Sequence, residues 1–250
     1  TTLDEQSGAW SPPVNMGPPV NTEYSDRGAS LTADGLTLLF TSKRPGGEGS
    51  QDLWITTRKS LSASWEQPQN LGPQVNSVYH ESAPELSADG LTAFFTSNRP
   101  GGLGKTDLWM ITRTAVGEPW SAPVNLGPEI NAPLCYAEKA ELTSDGLALL
   151  FWSYPSKRPS AKLHGRADLL MCVRATKEAE WSAPFDLPAP INSEDVEQGA
   201  TLSADCRTLV FISDRPGGQG KWDLWMSRRV RRDSDRRPSA SPNESPNAMN

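Results

Sequence analysis

One pattern recurs four times along these 250 residues. It opens on W-x-x-P-x-N-L-G, passes through an acidic residue to L-S-A-D-G, and closes on F-x-S-x-R-P-G-G-x-G-x-x-D-L-W. The copies start at Trp10, Trp65, Trp120 and Trp181, spaced 55, 55 and 61 residues apart. A period of this size signals stacked supersecondary units, each burying its faces against its neighbours. A single repeat array over 10–229 is therefore expected, with a short lead at 1–9 and a polar tail at 230–250.

The second copy shows what one unit is. Ser82–Leu86 is a short stretch of mixed polarity that runs into the turn Ser87-Ala88-Asp89-Gly90. In such a turn Asp bonds nearby backbone and Gly takes a positive φ. Leu91–Ser97 is apolar on both faces, as a strand must be when sheets stack on either side of it. Arg99–Gly104 reads as a Gly-rich hairpin loop, Asp107–Arg113 as a third strand, and Val124–Leu126 as a fourth, outer strand. Each unit is thus a four-stranded antiparallel meander, and no segment reads as a helix. The composition agrees: 36% hydrophobic residues with 22 Pro and 20 Gly suit an all-β chain of short strands and many turns.

Meanders of this kind in series suggest a β-propeller, whose radial packing leaves only short, protected edges. L-S-A-D-G-L-T-x-x-F-x-S-x-R-P-G-G-x-G-x-x-D-L-W resembles the WD40-like repeat PD40, found in the TolB-type propeller, and the resemblance covers residues 10–229. It implies a propeller of four-stranded blades. Members of that family include binding propellers, sensor domains attached to kinases and propellers that gate peptidases, often outside the cytoplasm. An extracytoplasmic setting, the periplasm or cell surface, is the expectation that follows. The strand Trp10–Met16 belongs to no preceding unit, and the last unit ends without a following Trp strand. Either the N-terminal strand completes the last sheet and closes a four-blade ring, or the chain is part of a larger ring. The chain begins with Thr, which reads as a processed or excised segment and leaves room for a further domain in a longer protein.

Charge excludes one class of partner. Net charge is −6, with six Arg and three acids from Arg228 onward. Taking six from 24 basic and three from 30 acidic residues leaves 18 against 27, an acidic body. Nucleic acid needs a basic surface and is not expected as a partner. No apolar run is long enough to span a membrane. Cys135, Cys172 and Cys206 are scattered and form neither a disulfide framework nor a metal motif. The tail, rich in Ser, Pro and Asn, reads as disordered.

Several repeated residues invite chemistry and are better read as scaffold. Arg44/Asp52, Arg99/Asp107 and Arg215/Asp223 recur eight apart and are expected to pair across each hairpin. The P-G-G-x-G loops open strands, whereas a phosphate-binding loop opens a helix. Asp34, Asp89, Asp145 and Asp205 sit in A-D-G turns, and Cys206 replaces the turn Gly of the fourth copy at a strain of about 1 kcal/mol if φ stays positive there.

Candidate ligand residues fall into two groups. Asp26, Glu81, Glu138 and Glu197 precede the innermost strands. They are expected either to converge on the channel mouth and bind a cation or basic group, or to lie in a solvated rim or bond backbone amides of neighbouring loops. His80 beside Glu81 is the one pairing suited to acid–base work. The third copy carries a longer loop, Tyr154–Gly165, and with it a basic patch of Lys157, Arg158, Lys162, His164 and Arg166 suited to partner contact. Neither H-E-x-x-H nor G-x-S-x-G occurs, so no catalytic constellation and no cofactor is expected. The function expected from sequence is a non-catalytic binding or scaffolding propeller, for a protein or peptide ligand at the channel face. The alternative is a sensor or gating propeller cut from a larger kinase or peptidase.

Overall fold

The computed structural model describes residues 3–4, 9–154 and 167–229, which contain strands and turns and no helix. A two-stranded ladder, β1 (Leu3–Asp4) with β2 (Ala9–Trp10), opens the chain. The first blade is β3 (Asp26–Leu31), β4 (Thr37–Ser42), β5 (Asp52–Thr57) and β6 (Gln69–Asn70), in that spatial order. The second is β7 (Glu81–Leu86), β8 (Thr92–Ser97), β9 (Asp107–Thr112) and β10 (Val124–Asn125). The third is β11 (Tyr136–Leu142), β12 (Ala148–Tyr154), β13 (Asp168–Val173) and β14 (Phe185–Asp186). The fourth has three strands, β15 (Glu197–Leu202), β16 (Thr208–Ser213) and β17 (Asp223–Arg228). Within the blades the strand pairings are antiparallel, as expected for meanders, while single parallel bridges, Gln51 with His80, Thr106 with Tyr136 and Ala167 with Val196, join one blade to the next. The protein is an all-β, four-blade propeller.

The first strand of each blade contacts the first strand of the next, so β3, β7, β11 and β15 form the inner row. Each has a β-bulge, between Arg27 and Ser30, Ser82 and Glu85, Glu138 and Glu141, and Gln198 and Thr201. A left-handed residue sits in every bulge: Gly28, Ala83, Lys139 and Gly199, with φ of 63°, 46°, 51° and 59°. A bulge bends the strand and re-aims the side chains beyond it.

Cores lie between blades. Leu39, Leu53 and Val75 from the first blade meet Leu86, Ala93, Phe95, Trp109 and Trp120 of the second. Phe94, Leu108 and Ile130 meet Leu149, Phe151 and Leu170 in the next interface, and Leu150 and Leu169 meet Leu209 and Phe211 in the third. Burying each of these large side chains contributes about 1.5–3 kcal/mol. The second strands of the first three blades supply residues to both sides, which is why their central residues are apolar on both faces.

Between the fourth blade and the first there is no such interface. Among the described residues no strand of β15–β17 contacts a strand of the first blade. The N-terminal strand expected to complete the last sheet does not do so: Ala9–Trp10 pairs with Leu3–Asp4, and β17 has no fourth-strand partner. The seam is open.

Candidate functional site

The predicted acids are built into the blades. Arg44 Nη2 donates to Asp26 Oδ1 at 2.8 Å, Arg99 Nη2 to Glu81 Oε1 at 2.9 Å, and Arg215 Nη2 to Glu197 Oε1 at 2.8 Å. The hydroxyls of Ser42, Ser97 and Ser213 donate to the same carboxylates. Backbone N–H groups of Thr22, Ser77 and Ser193 complete them. Each guanidinium also donates to backbone carbonyls: Arg44 to Pro19 and Val20, Arg99 to Val75, and Arg215 to Pro190 and Ile191. Burial opposes ionisation of Asp26, yet the bonds from Ser42 and Arg44 hold its carboxyl below the usual range. A buried ion pair survives desolvation only when its remaining donors and acceptors are satisfied, and these are. Asp26, Glu81 and Glu197 therefore hold inner strands to hairpins, their oxygens committed to Arg, Ser and backbone groups. Their bonds to neighbouring backbone amides match the other expectation raised for them.

The eight-residue Arg/Asp pairing is corrected in the same way. Asp52 accepts the N–H groups of Glu48 and Gly49 at 2.6 and 3.1 Å and the Asn70 amide at 3.2 Å. Asp107 accepts those of Leu103, Gly104 and Asn125. Asp and Arg each anchor the hairpin, but through different partners. A Cβ at Gly47 would lie 1.7 Å from Asp52 Oδ2, so the second Gly of the loop is required by the carboxylate it wraps.

Glu138 is out of step. Glu81 lies opposite Ser97, but Ser153 faces Ala137, so Glu138 lies one residue along and points to the other face of its strand. It accepts Thr106 Oγ1 at 3.2 Å, and burial raises its pKa. Its seven-residue spacing to the turn Asp, against eight elsewhere, was the signal. Asp168 stands where Asp52 and Asp107 bind their loops, yet among the described residues both its buried carboxylate oxygens are without a hydrogen-bond partner. Burial, with the charges of Glu197 and Asp186, pushes its pKa up to about 7. The basic patch of Lys157, Arg158, Lys162, His164 and Arg166 lies outside the described residues.

His80 and Glu81 do not form an acid–base pair. The Glu81 carboxylate is committed to Arg99 and Ser97, while burial, opposed by the Glu81 charge and helped by Lys43 and Arg27, lowers the His80 pKa. A second polar row, missed from sequence, runs along the inner strands. Ser30 Oγ accepts the N–H of Leu86, Glu85 Oε1 that of Leu142, and Glu141 Oε1 that of Leu202, each from the next blade. The bulges aim these side chains across the blade interfaces. Burial, together with the Glu141 charge, pushes the Glu85 pKa up to about 8.

A cleft of about 680 Å³ lies between the first and second blades. Its walls carry Arg58, Gln69, Gln74, Asp89, Arg113 and Trp120. Arg113 lies over the Trp120 ring at 4.4 Å and donates through Nε to Gly90 O at 2.8 Å. Its Nη2 is buried without a partner.

No family model and no curated protein matches the chain. Solved structures do. TolB from Acinetobacter baumannii superposes with a TM-score of 0.53 at 15% identity, over 82% of this chain and 41% of that one. The putative TolB from Agrobacterium tumefaciens gives 0.53 at 17% identity, over 83% and 59%. The likeness is one of fold. This chain spans 41% and 59% of those two structures, so it resembles a propeller portion within each.

Proposed function

We propose that the protein is a non-catalytic binding module that takes a protein or peptide segment in the cleft between its first and second blades. The observation that carries this reading is a cleft of about 680 Å³ walled by Arg58 and Arg113, with the Arg113 guanidinium fixed on Trp120 and Gly90. Cavities of ~300–1,000 Å³ with a few placed polar groups are the usual form of a ligand site. A peptide carboxylate suits the positive charge of Arg58 and Arg113 on the cleft wall, and the side-chain amides of Gln69 and Gln74 suit backbone groups. The inner-strand acids favoured by sequence are less suited, because their oxygens serve Arg and Ser side chains within the blades. PD40 membership, supported by the repeated L-S-A-D-G and R-P-G-G-x-G motifs, and an extracytoplasmic setting belong to the same proposal.

Selection of displayed random peptides on the full chain, followed by calorimetry of the peptides recovered, tests it. R113Q should weaken binding on the order of tenfold or more, equivalent to ~1.4 kcal/mol. Recovered peptides that bind R113Q and Q69A as tightly as the parent would reject the cleft.

A further inference from the structure

The two sides of the open seam are the two halves of one missing blade interface. In the closed interfaces Leu53, Leu108 and Leu169 are all 0% exposed. The corresponding third-strand residue of the last blade, Leu224, is 75% exposed, and Met226 is 60% exposed. On the other side, Val20, Leu38, Phe40 and Trp54 form a core cluster supplied by the first blade and the loop before it. Leu31 on that face is 50% exposed, where its counterpart Leu86 is buried. Val20, Leu38, Phe40 and Trp54 are themselves only 2–7% exposed, so among these residues the apolar groups left uncovered are Leu31 on one side and Leu224 and Met226 on the other.

Hydrogen bonding repeats the complementarity. Asn76, Asn131 and Asn192 each bond both the N–H and C=O of Leu53, Leu108 and Leu169. Asn70 and Asn125 donate to Asp52 and Asp107. In the repeat Asn21 and Asn15 hold these places, with Leu224 and Asp223 as their targets. Asn15 already accepts the Gly17 N–H at 2.8 Å and the Asn21 amide at 3.0 Å. Asn70 accepts the Gly72 N–H and the Asn76 amide, both at 2.8 Å, in the same way. The fourth-strand segment is therefore preformed, and Val14 within it is 79% exposed.

A socket completes the match. Arg58, Arg113 and Arg174 lie over Trp65, Trp120 and Trp181 at 4.4, 4.4 and 4.3 Å. Arg229, six residues after Asp223 as the others follow their Asp, lines a cleft of about 430 Å³ with Met171, Leu187, Ile191 and Leu209. Trp120 packs beside the counterparts Ile55, Leu71, Val75 and Ala93. Among the repeat-opening Trp residues of the four copies, Trp10 holds the place that corresponds to Trp65, Trp120 and Trp181.

We propose that the edge of β17 docks the first-blade face and the Trp10–Asn21 segment of a second copy of this chain, head to tail. Within one chain the two halves are held apart by three packed blade interfaces, and joining them requires all three to change angle. A second copy joins them without disturbing any. Such an interface is heterologous, and two copies that meet twice close a ring of about eight blades, the upper end of the usual range of four to eight.

Register places Val14 against Met226, as Gln69 lies against Ile55 and Val124 against Met110. In a C206S background, V14C and M226C chains are mixed and mildly oxidised. A disulfide joining one V14C chain to one M226C chain is expected, with sedimentation showing twice the chain mass for the parent and a single-chain mass for L224D. A parent of single-chain mass overturns the proposal. So does a V14C/M226C double variant that links only within one chain, which would show the segment closing its own ring.

Discussion

Glu85 Oε1 accepts the N–H of Leu142 from the next blade at 3.4 Å, across an interface that also holds Glu141. Burial and that neighbouring charge push the Glu85 pKa up to about 8, from an ordinary value of 4.5. An acid whose pKa is raised on folding binds its proton more tightly in the folded state, so stability falls as pH rises through the window between the two values. The contribution is whole below about pH 4.5 and lost by about pH 8.

E85Q keeps an acceptor for Leu142 and removes the titration. It should match the parent at pH 4.5 and exceed it on the order of 1–3 kcal/mol at pH 8.5. Urea unfolding of both proteins at the two pH values is the check. A difference independent of pH would show that Glu85 is not the titrating group.

Asp186 stands where Asn70 and Asn125 donate to the loop-binding Asp of their blades. D186N should supply that donor to Asp168 and remove one of the charges that push its pKa up to about 7. The expected gain is about 1–2 kcal/mol at pH 8, shrinking as pH falls below about 7, where Asp168 of the folded parent takes up its proton and its charge no longer needs the donor. Equal stability of variant and parent at pH 8 would show that the amide does not reach Asp168.

Cys206 takes φ of 55° in a turn where Gly35, Gly90 and Gly146 have 67°, 69° and 75°. Burial raises its thiol pKa, so it has no thiolate character that would explain its presence. C206G should stabilise by about 1 kcal/mol, while C206A, which keeps a Cβ at positive φ, should not. Thermal unfolding of the pair separates backbone strain from loss of the thiol.

Much of the fold is legible because the repeat encodes it locally. The A-D-G turns, the Gly-rich hairpins and the strands apolar on both faces all lie where the sequence puts them, since their determinants are a few residues apart. The bulges were legible in principle from Gly28 and Gly199, but Ala83 and Lys139 hide the pattern in the middle blades. Glu138 shows how little separates a right placement from a wrong one. One residue of register turns a side chain to the opposite face of its strand, and no composition argument detects that.

The candidate site was less legible. Arg99 was expected on Asp107, eight residues on, and binds Glu81, 18 residues back, because the bond is made across paired strands. The clamp from Ser30 to the Leu86 N–H spans 56 residues. The cleft beside Arg113 is made by two blades together and belongs to neither sequence unit.

The sequence alone determined the unit: four meanders, their turns, and the residues that cap each hairpin, all governed by local sterics and hydrogen bonds. Only the tertiary structure decided which carboxylates are buried with Arg, which inner-strand groups reach the next blade, and that the first and last blades stand apart. Those outcomes depend on the angle at which blades pack and on the dielectric surroundings that packing creates. Neither is written into any one copy of the repeat.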